Sequence, residues 1–158
     1  MDIDKDSAGV KFPPPLAFLG TLLAGLILNR LLGNPRVPLL AHGLQNLLGW
    51  LAIVLGAGTM LSAASLFRRI GTEAKPWKPS TALVTDGVFR WTRNPMYLGM
   101  AGIYAGVALV ADSLMALLLL IPLVFVIQHE VIAREEAYLE GRFGEAYRAY
   151  RARVRRWV

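Results

Sequence analysis

The chain has 158 residues, of which 55% are apolar and only 18% are charged, yet 17 Lys and Arg against 11 Asp and Glu give it a net charge of +6. It contains no Cys, which excludes a disulfide framework, a Cys-ligated zinc or iron–sulfur site and a thiol nucleophile. The length predicts a single domain over residues 1–158. Because the apolar residues are grouped in long runs, the composition is typical of a membrane protein.

Four of these runs predict transmembrane helices, over residues 16–32, 43–66, 95–111 and 113–130. Asp112 alone separates the last two runs, which we interpret as a helical hairpin. Both of these runs are short for a bilayer, so three spans remain the alternative. We therefore predict an all-α integral-membrane bundle of about four transmembrane helices.

Basic residues flank the runs unevenly. With four spans, the N-terminal tail, the loop 68–94 and the C-terminal segment 131–158 share one side of the membrane. That side carries fifteen of the Lys and Arg residues, whereas the other side carries two, Arg30 and Arg36. Since Lys and Arg in short flanking segments stay in the cytoplasm, both termini are predicted to be cytoplasmic, in the inner membrane if the source is prokaryotic. Anionic membrane lipids account for such a basic fringe, and we expect no nucleic-acid partner.

The first candidate site lies where the loop 68–94 leads into the third run. Arg93, Asn94 and Pro95 stand at a helix entrance, and Pro suits the first helical turn. The exposed N–H groups of that turn, together with Arg93, could bind a carboxylate or a phosphate. Alternatively, Asn94 is a helix N-cap and Arg93 an interfacial anchor. Gly102 and Gly106 on the same run indicate either a close helix contact or a ligand lying against bare backbone.

The second candidate site follows the fourth run. His129 and Glu136 are seven residues apart, so a regular helix places them on nearly one face, with Glu130 and Glu135 on neighbouring faces. Paired carboxylates here could receive an amine, ribose hydroxyls or a cation, or they could be the solvated end of a helix. No second histidine follows His129 at helical spacing, so we expect no metal. Residues 131–158, with aromatic residues spaced by threes and fours among arginines, predict an amphipathic cytoplasmic C-terminal helix.

Together, the two segments resemble the integral-membrane methyltransferase superfamily of isoprenylcysteine carboxyl methyltransferases and phosphatidylethanolamine N-methyltransferases. The resemblance covers about residues 81–156. It is carried by Gly87 and the run Arg93-Asn94-Pro95-Met96-Tyr97-Leu98-Gly99, followed after two spans by Glu135-Glu136-x-x-Leu139-x-x-x-Phe143-Gly144-x-x-Tyr147-x-x-Tyr150.

The resemblance implies an S-adenosylmethionine-dependent methyltransferase, in which a lipophilic acceptor enters from the bilayer and presents a carboxylate, thiol or amine. The residues that it assigns to the donor site are Leu83, Val84, Thr85, Gly87, Val88, Phe89, Arg93, Asn94, Pro95, Tyr97, Leu98, Gly99, His129, Glu135 and Glu136.

One position departs from the family pattern. Many relatives have His where this chain has Asn94, and Asn cannot carry a proton at neutral pH. The catalytic residue is therefore unassigned, with Arg93, Asn94 and Glu130 as candidates. Two other functions stay open: a membrane reductase of the sterol-reductase type and a non-enzymatic scaffold that retains the fold. The sequence fixes neither the acceptor nor the oligomeric state.

Overall fold

A computed structural model describes residues 7–10, 12–38, 41–71 and 79–158. Lys5, Lys11, Lys75 and Lys78, which contribute to the predicted cytoplasmic charge, lie outside these residues. The helices are α1 (Pro14–Leu31), α2 (His42–Ile70), α3 (Pro95–Val110), α4 (Leu114–Val126), α5 (Ala133–Phe143) and α6 (Glu145–Arg153). A 3₁₀ turn covers Gly87–Arg90, and a π-helical segment, Ile127–Ile132, joins α4 to α5.

Among the described residues, three helices are long and apolar enough to cross a membrane: α1, α2 and the continuous helix Leu114–Phe143. The shorter apolar helix α3 packs against α2, α1 and α4, and α1 also packs along α4, so the four form one bundle. Large apolar side chains point outward from it, among them Leu31 and Leu47, which are 77% and 64% exposed. The prediction of an all-α membrane bundle is therefore confirmed.

The C-terminal region differs from the single amphipathic helix expected over residues 131–158. Its first part continues the last long helix without a break, through the π-helical segment. The helix then ends at Gly144, whose φ of +53° is a backbone conformation that favours glycine. A second helix, α6, follows, and after Arg153 the chain becomes non-helical. The region is thus two short helices and a terminal segment.

Helices α2 and α3 approach closely through two pairs of glycines. A Cβ atom on Gly99 would lie 2.6 Å from the carbonyl oxygen of Gly56, and one on Gly106 would lie 2.5 Å from that of Gly49. Gly102, between them on α3, has more space, since its Cβ would lie 3.5 Å from the nearest atom. Small residues let helix backbones meet at such distances. The glycine run therefore forms a helix contact, which we call the glycine seam.

The α3–α4 connection is closed by side chains from several elements. Asp112 has a φ of +48° and its Oδ1 accepts hydrogen bonds from the backbone N–H of Val37 and from Nε2 of Gln45, both at 3.0 Å. Gln45, which is 2% exposed, also donates to the carbonyl of Leu109 at 2.8 Å. Ser113 is the N-cap of α4, because its hydroxyl accepts a hydrogen bond from the N–H of Ala116.

Candidate functional site

A cavity lies at the end of the bundle where α2 ends and α3 begins. Its walls come from the segment preceding α1, the last turn of α2, the chain from residue 80 into α3, and helices α5 and α6. The lining residues are Ala8, Phe67, Ser80, Ala82, Leu83, Val84, Phe89, Arg93, Asn94, Pro95, Met96, Tyr97, Glu135, Glu136, Tyr138, Leu139, Tyr147 and Tyr150. The fold therefore brings the two candidate segments of the sequence to one cavity.

Nine of the fifteen residues that the resemblance assigns to the donor site line this cavity. They are Leu83, Val84, Phe89, Arg93, Asn94, Pro95, Tyr97, Glu135 and Glu136. The other six do not line it: Thr85, Gly87, Val88, Leu98, Gly99 and His129. Gly99 lies in the glycine seam, and Gly87 and Val88 line a groove on the outer side of the 3₁₀ turn.

A hydrogen-bonded carboxylate joins α5 to the beginning of α3. The Tyr97 hydroxyl donates to Oε1 of Glu135 at 2.6 Å, and Tyr97 is 7% exposed. Within the described part of the chain, Tyr97 is the one residue that hydrogen-bonds Glu135. A hydroxyl donor of this kind fixes the orientation of the carboxylate. Glu135 thus presents an oriented acceptor to the cavity.

The neighbouring carboxylate, Glu136, is held by two arginines. Nη2 of Arg93 donates to its Oε1 at 2.7 Å, and Nη2 of Arg156 donates to its Oε2 at 2.5 Å. The side chains of Arg93 and Glu136 are each only 10% exposed. The hydrogen bonds to Glu136 raise the pKa of Arg156 above its ordinary value, so this pair stays ionised. Arg93 and Glu136, both assigned to the donor site by the resemblance, therefore bond mainly to other residues of the protein.

The residues entering α3 also hold the end of the chain, residues 154–157, which we call the C-terminal strap. Nη1 of Arg93 donates to the carbonyl of Val154 at 2.8 Å, and its backbone N–H donates to that of Arg155 at 2.9 Å. Nδ2 of Asn94 donates to the carbonyl of Arg156 at 2.9 Å. Asn94 occupies the N-cap position of α3, but its side chain makes no capping bond. Its observed contact is therefore with the strap.

The π-helical segment changes which side chains share a face. Its wider i→i+5 turn rotates the residues that follow it relative to a regular α-helix. His129 is exposed, whereas Glu136 is buried, so the structure does not bring the two together as the seven-residue spacing predicts. Glu130 is also outside the cavity and forms an ion pair with Arg134 that is about half-exposed.

Aromatic residues that sequence reasoning left out of the site build much of the cavity wall. Tyr147 and Tyr150 are 1% and 4% exposed although they stand in an Arg-rich helix. The Tyr150 hydroxyl donates to the carbonyl of Phe89 at 2.8 Å, which fixes α6 against the 3₁₀ turn. Phe89 in turn meets Phe67 edge to face, with 5.4 Å between ring centroids. The i, i+3 spacing of the two tyrosines is the sequence signal that points to a shared face.

A second tyrosine contact fixes the loop side of the cavity. The hydroxyl of Tyr138, on α5, accepts a hydrogen bond from the backbone N–H of Ser80 at 3.0 Å. Nothing in the spacing of the sequence indicates this bond, because residue 80 is far from α5 along the chain. The described residues hold no group of three or more His, Asp or Glu placed to bind a metal ion.

The cavity thus combines one oriented carboxylate, a fixed ion-pair network and an apolar, aromatic wall. Residues 44–146 match the phospholipid methyltransferase family, and the chain belongs to that family. It is therefore a membrane methyltransferase of the isoprenylcysteine and phospholipid type, which confirms the superfamily predicted from the sequence.

Two relatives extend this finding. Over 63 residues the chain is 43% identical to an uncharacterised protein of Haemophilus influenzae, a match that covers 40% of this chain and all of that protein. Over 109 residues it is 29% identical to the protein-S-isoprenylcysteine O-methyltransferase of Schizosaccharomyces pombe, covering 68% of this chain but 45% of the yeast protein. No solved structure matches the chain.

Proposed function

We propose that this protein transfers the methyl group of S-adenosylmethionine to a lipophilic acceptor at the cytoplasmic face of the membrane. The observation that carries the proposal is the cavity in which Glu135, oriented by Tyr97, lies within the same walls as an aromatic surface. Tyr97 and Glu135 both fall inside the region that matches the family.

The chemistry of the lining residues fits this donor. An adenine requires apolar and aromatic walls, which Val84, Phe89 and Tyr147 supply. An ammonium or ribose hydroxyl requires an acceptor, which Glu135 supplies. A carboxylate requires hydrogen-bond donors, and the guanidinium of Arg93 is the positively charged hydrogen-bond donor among the lining residues.

The donor, when bound, supplies a methyl carbon already activated by a positively charged sulfur. Glu135 and the aromatic wall would hold this donor, which would supply its methyl group to an oxygen, sulfur or nitrogen atom of the acceptor and leave as the neutral thioether S-adenosylhomocysteine. An ammonium acceptor must first lose a proton, whereas a carboxylate or thiolate needs no base. The protein's task is to bind, to align and to exclude water.

Within this mechanism the two carboxylates have different roles. Glu135 touches the donor, with the Tyr97 hydroxyl holding its orientation. Glu136 is a positioning residue, because Arg93 and Arg156 already occupy both of its oxygens. Arg93 positions the strap through the carbonyl of Val154, and the cluster of Arg93, Arg156 and Glu136 keeps one net positive charge beside the cavity.

The charge pattern supports a cytoplasmic location for the site. Among the residues near the cavity, the strap and α6 contain five arginines, and the loop before α3 contributes Arg90 and Arg93. Segments this basic stay on the cytoplasmic side of a membrane.

The proposal is tested by incubating the purified protein and isotopically labelled S-adenosylmethionine with lipid extracts, followed by mass spectrometry. We expect a labelled lipid heavier by one CH₂. Glu135→Gln should reduce product formation at least ~10-fold, equivalent to about 1.4 kcal/mol. Glu145→Gln is the matched control, since Glu145 is 83% exposed on α6 and pairs only with Arg148 among the described residues.

Two results would contradict the proposal. Wild-type protein that does not bind S-adenosylhomocysteine would remove the donor assignment. Binding without transfer to any lipid, prenylated cysteine or thiol would instead favour a scaffold that retains the fold.

A further inference from the structure

A groove runs along the outer surface of the wall that encloses the cavity. Ser62, Ser65 and Leu66, near the end of α2, form one side of it. The 3₁₀ turn and the residue that follows it form the other side, through Gly87, Val88, Arg90 and Trp91. No residue of this set lines the cavity.

The groove and the cavity are lined by neighbouring residues of the same two stretches of chain. Leu66 and Val88 line the groove, whereas the residues next to them in sequence, Phe67 and Phe89, line the cavity. Phe67 and Phe89 meet edge to face, with 5.4 Å between ring centroids. Both rings are side chains, whose torsion angles can change between staggered rotamers.

The groove is amphipathic in the direction expected for a membrane lipid. Its polar groups are the hydroxyls of Ser62 and Ser65 and the guanidinium of Arg90. The Ser65 hydroxyl donates to the carbonyl of Ser62, and Arg90 forms an exposed ion pair with Asp86. The α2 surface leading away from it is apolar, with Leu55 and Leu61 61% and 71% exposed. Beside it Trp91 is 79% exposed, and an indole with one apolar face and one polar N–H is typical of the membrane–water interface.

We propose that this groove binds the polar end of the lipophilic acceptor, with its hydrocarbon chain along α2, and that the Phe67–Phe89 contact is the partition through which the acceptor atom reaches the donor. The inference rests on the proposed function. The occupant is a membrane lipid because the groove is continuous with the outward-facing apolar surface of α2. Hydroxyls and a cation lie at the C-terminal end of that surface, next to the 3₁₀ turn.

A chain without cysteine allows the groove to be blocked at a single chosen atom. Ser62→Cys, alkylated with a bulky maleimide, fills the groove. Leu16→Cys, alkylated in the same way, is the control, because Leu16 is 63% exposed on α1 and lines neither the groove nor the cavity. The acceptors are vesicles of phosphatidylethanolamine in one arm and S-farnesylcysteine in the other.

Methyl transfer by the alkylated Ser62→Cys protein should fall at least ~10-fold, while its affinity for S-adenosylhomocysteine stays within about twofold of wild type. The alkylated control should keep its rate of methyl transfer and its affinity for S-adenosylhomocysteine. Equal transfer by the two alkylated proteins would overturn the inference, because the acceptor would then reach the donor by another path. Absence of S-adenosylhomocysteine binding in the unlabelled wild type would instead remove the proposed function.

A binding measurement tests the groove without turnover. An environment-sensitive fluorophore on Ser65→Cys should respond saturably to S-farnesylcysteine or to phosphatidylethanolamine in mixed micelles, and the arm that saturates identifies the acceptor class. The same fluorophore on Leu16→Cys, on the exposed face of α1, should show only non-saturable partitioning. Identical responses at the two positions would contradict a specific site.

Discussion

The bundle carries a polar cluster at each end, and the two differ in what surrounds them. At the α3–α4 connection, Gln45 and Asp112 bond the backbone and each other. At the cavity end, Tyr97 and Glu135 are paired, and Glu136 lies between two arginines. We refer to these as the turn cluster and the cavity cluster.

Hydrogen bonding alone does not distinguish the clusters, since most polar side chains in both have hydrogen-bond or ion-pair partners. In the turn cluster the side chains complete the hydrogen bonding of a connection, as buried backbone groups require. In the cavity cluster the carboxylate of Glu135 shares its cavity with Phe89 and Tyr147. A polar group beside an apolar cavity is the arrangement that binds small molecules. The two ends can therefore be separated experimentally by stability and by ligand affinity.

The largest effect on stability is expected from Arg93→Ala. The change leaves Glu136 with Arg156 as its charged partner and removes the donor to the carbonyl of Val154. Because Arg156 still neutralises Glu136, the unfolding free energy should fall by about 1.5–3 kcal/mol, as for lost hydrogen bonds to a charged group, which chemical unfolding in detergent micelles can measure.

Arg90→Ala is the control for that change. Its ion pair with Asp86 is exposed, with side chains 71% and 67% accessible, so the expected loss is only about 0–1 kcal/mol. Similar losses in the two variants would contradict a structural role for the network around Glu136.

The next effect concerns the glycine seam. Gly99→Ala places a methyl group 2.6 Å from the carbonyl oxygen of Gly56, so the helices must separate. Overpacking of this kind costs about 1–3 kcal/mol of unfolding free energy. Gly102→Ala, whose Cβ has ordinary contacts, should cost less. If Gly99→Ala instead weakens donor binding without loss of stability, Gly99 belongs to the donor site.

The smallest effect is expected at the turn cluster. Hydrogen bonds from Gln45 and from the N–H of Val37 lower the pKa of Asp112. A carboxyl group with a lowered pKa in the folded state stabilises the protein at pH values above the pKa of the unfolded state, about 3.9. This contribution is lost as the pH falls through the pKa of the folded state. Asp112→Asn should therefore lower the melting temperature at neutral pH and make the melting temperature depend less on pH below 7. Its affinity for the methyl donor should be unchanged. Melting curves from pH 7 downwards test this, and an unaltered acid dependence would contradict it.

Much of the fold followed from local sequence properties. The apolar runs predict the helices because a membrane span needs only length and hydrophobicity, and Ser113 caps α4 because its hydroxyl acts on its own turn. The break at Gly144 was missed, since a glycine inside an amphipathic pattern does not show by itself that its φ is positive.

The candidate site was predicted only in part. The spacing of His129 and Glu136 gave a wrong prediction of a shared face, because His129 lies in the π-helical segment Ile127–Ile132 and Glu136 follows it. A sequence pattern based on 3.6 residues per turn does not reveal such a segment. Gly99 was assigned by resemblance, whereas its contact with Gly56 depends on how two helices meet. The pairing of Arg156 with Glu136 likewise depends on tertiary packing. These are non-local contacts, which periodicity does not encode.

The most direct test of the donor site is calorimetric titration with S-adenosylhomocysteine of wild type, Glu135→Gln and Asp112→Asn, one variant from each cluster. We predict binding by wild type, affinity at least ~10-fold weaker for Glu135→Gln and unchanged affinity for Asp112→Asn. Equal affinity in all three proteins, or no binding by wild type, would contradict the assignment of the cavity to the methyl donor.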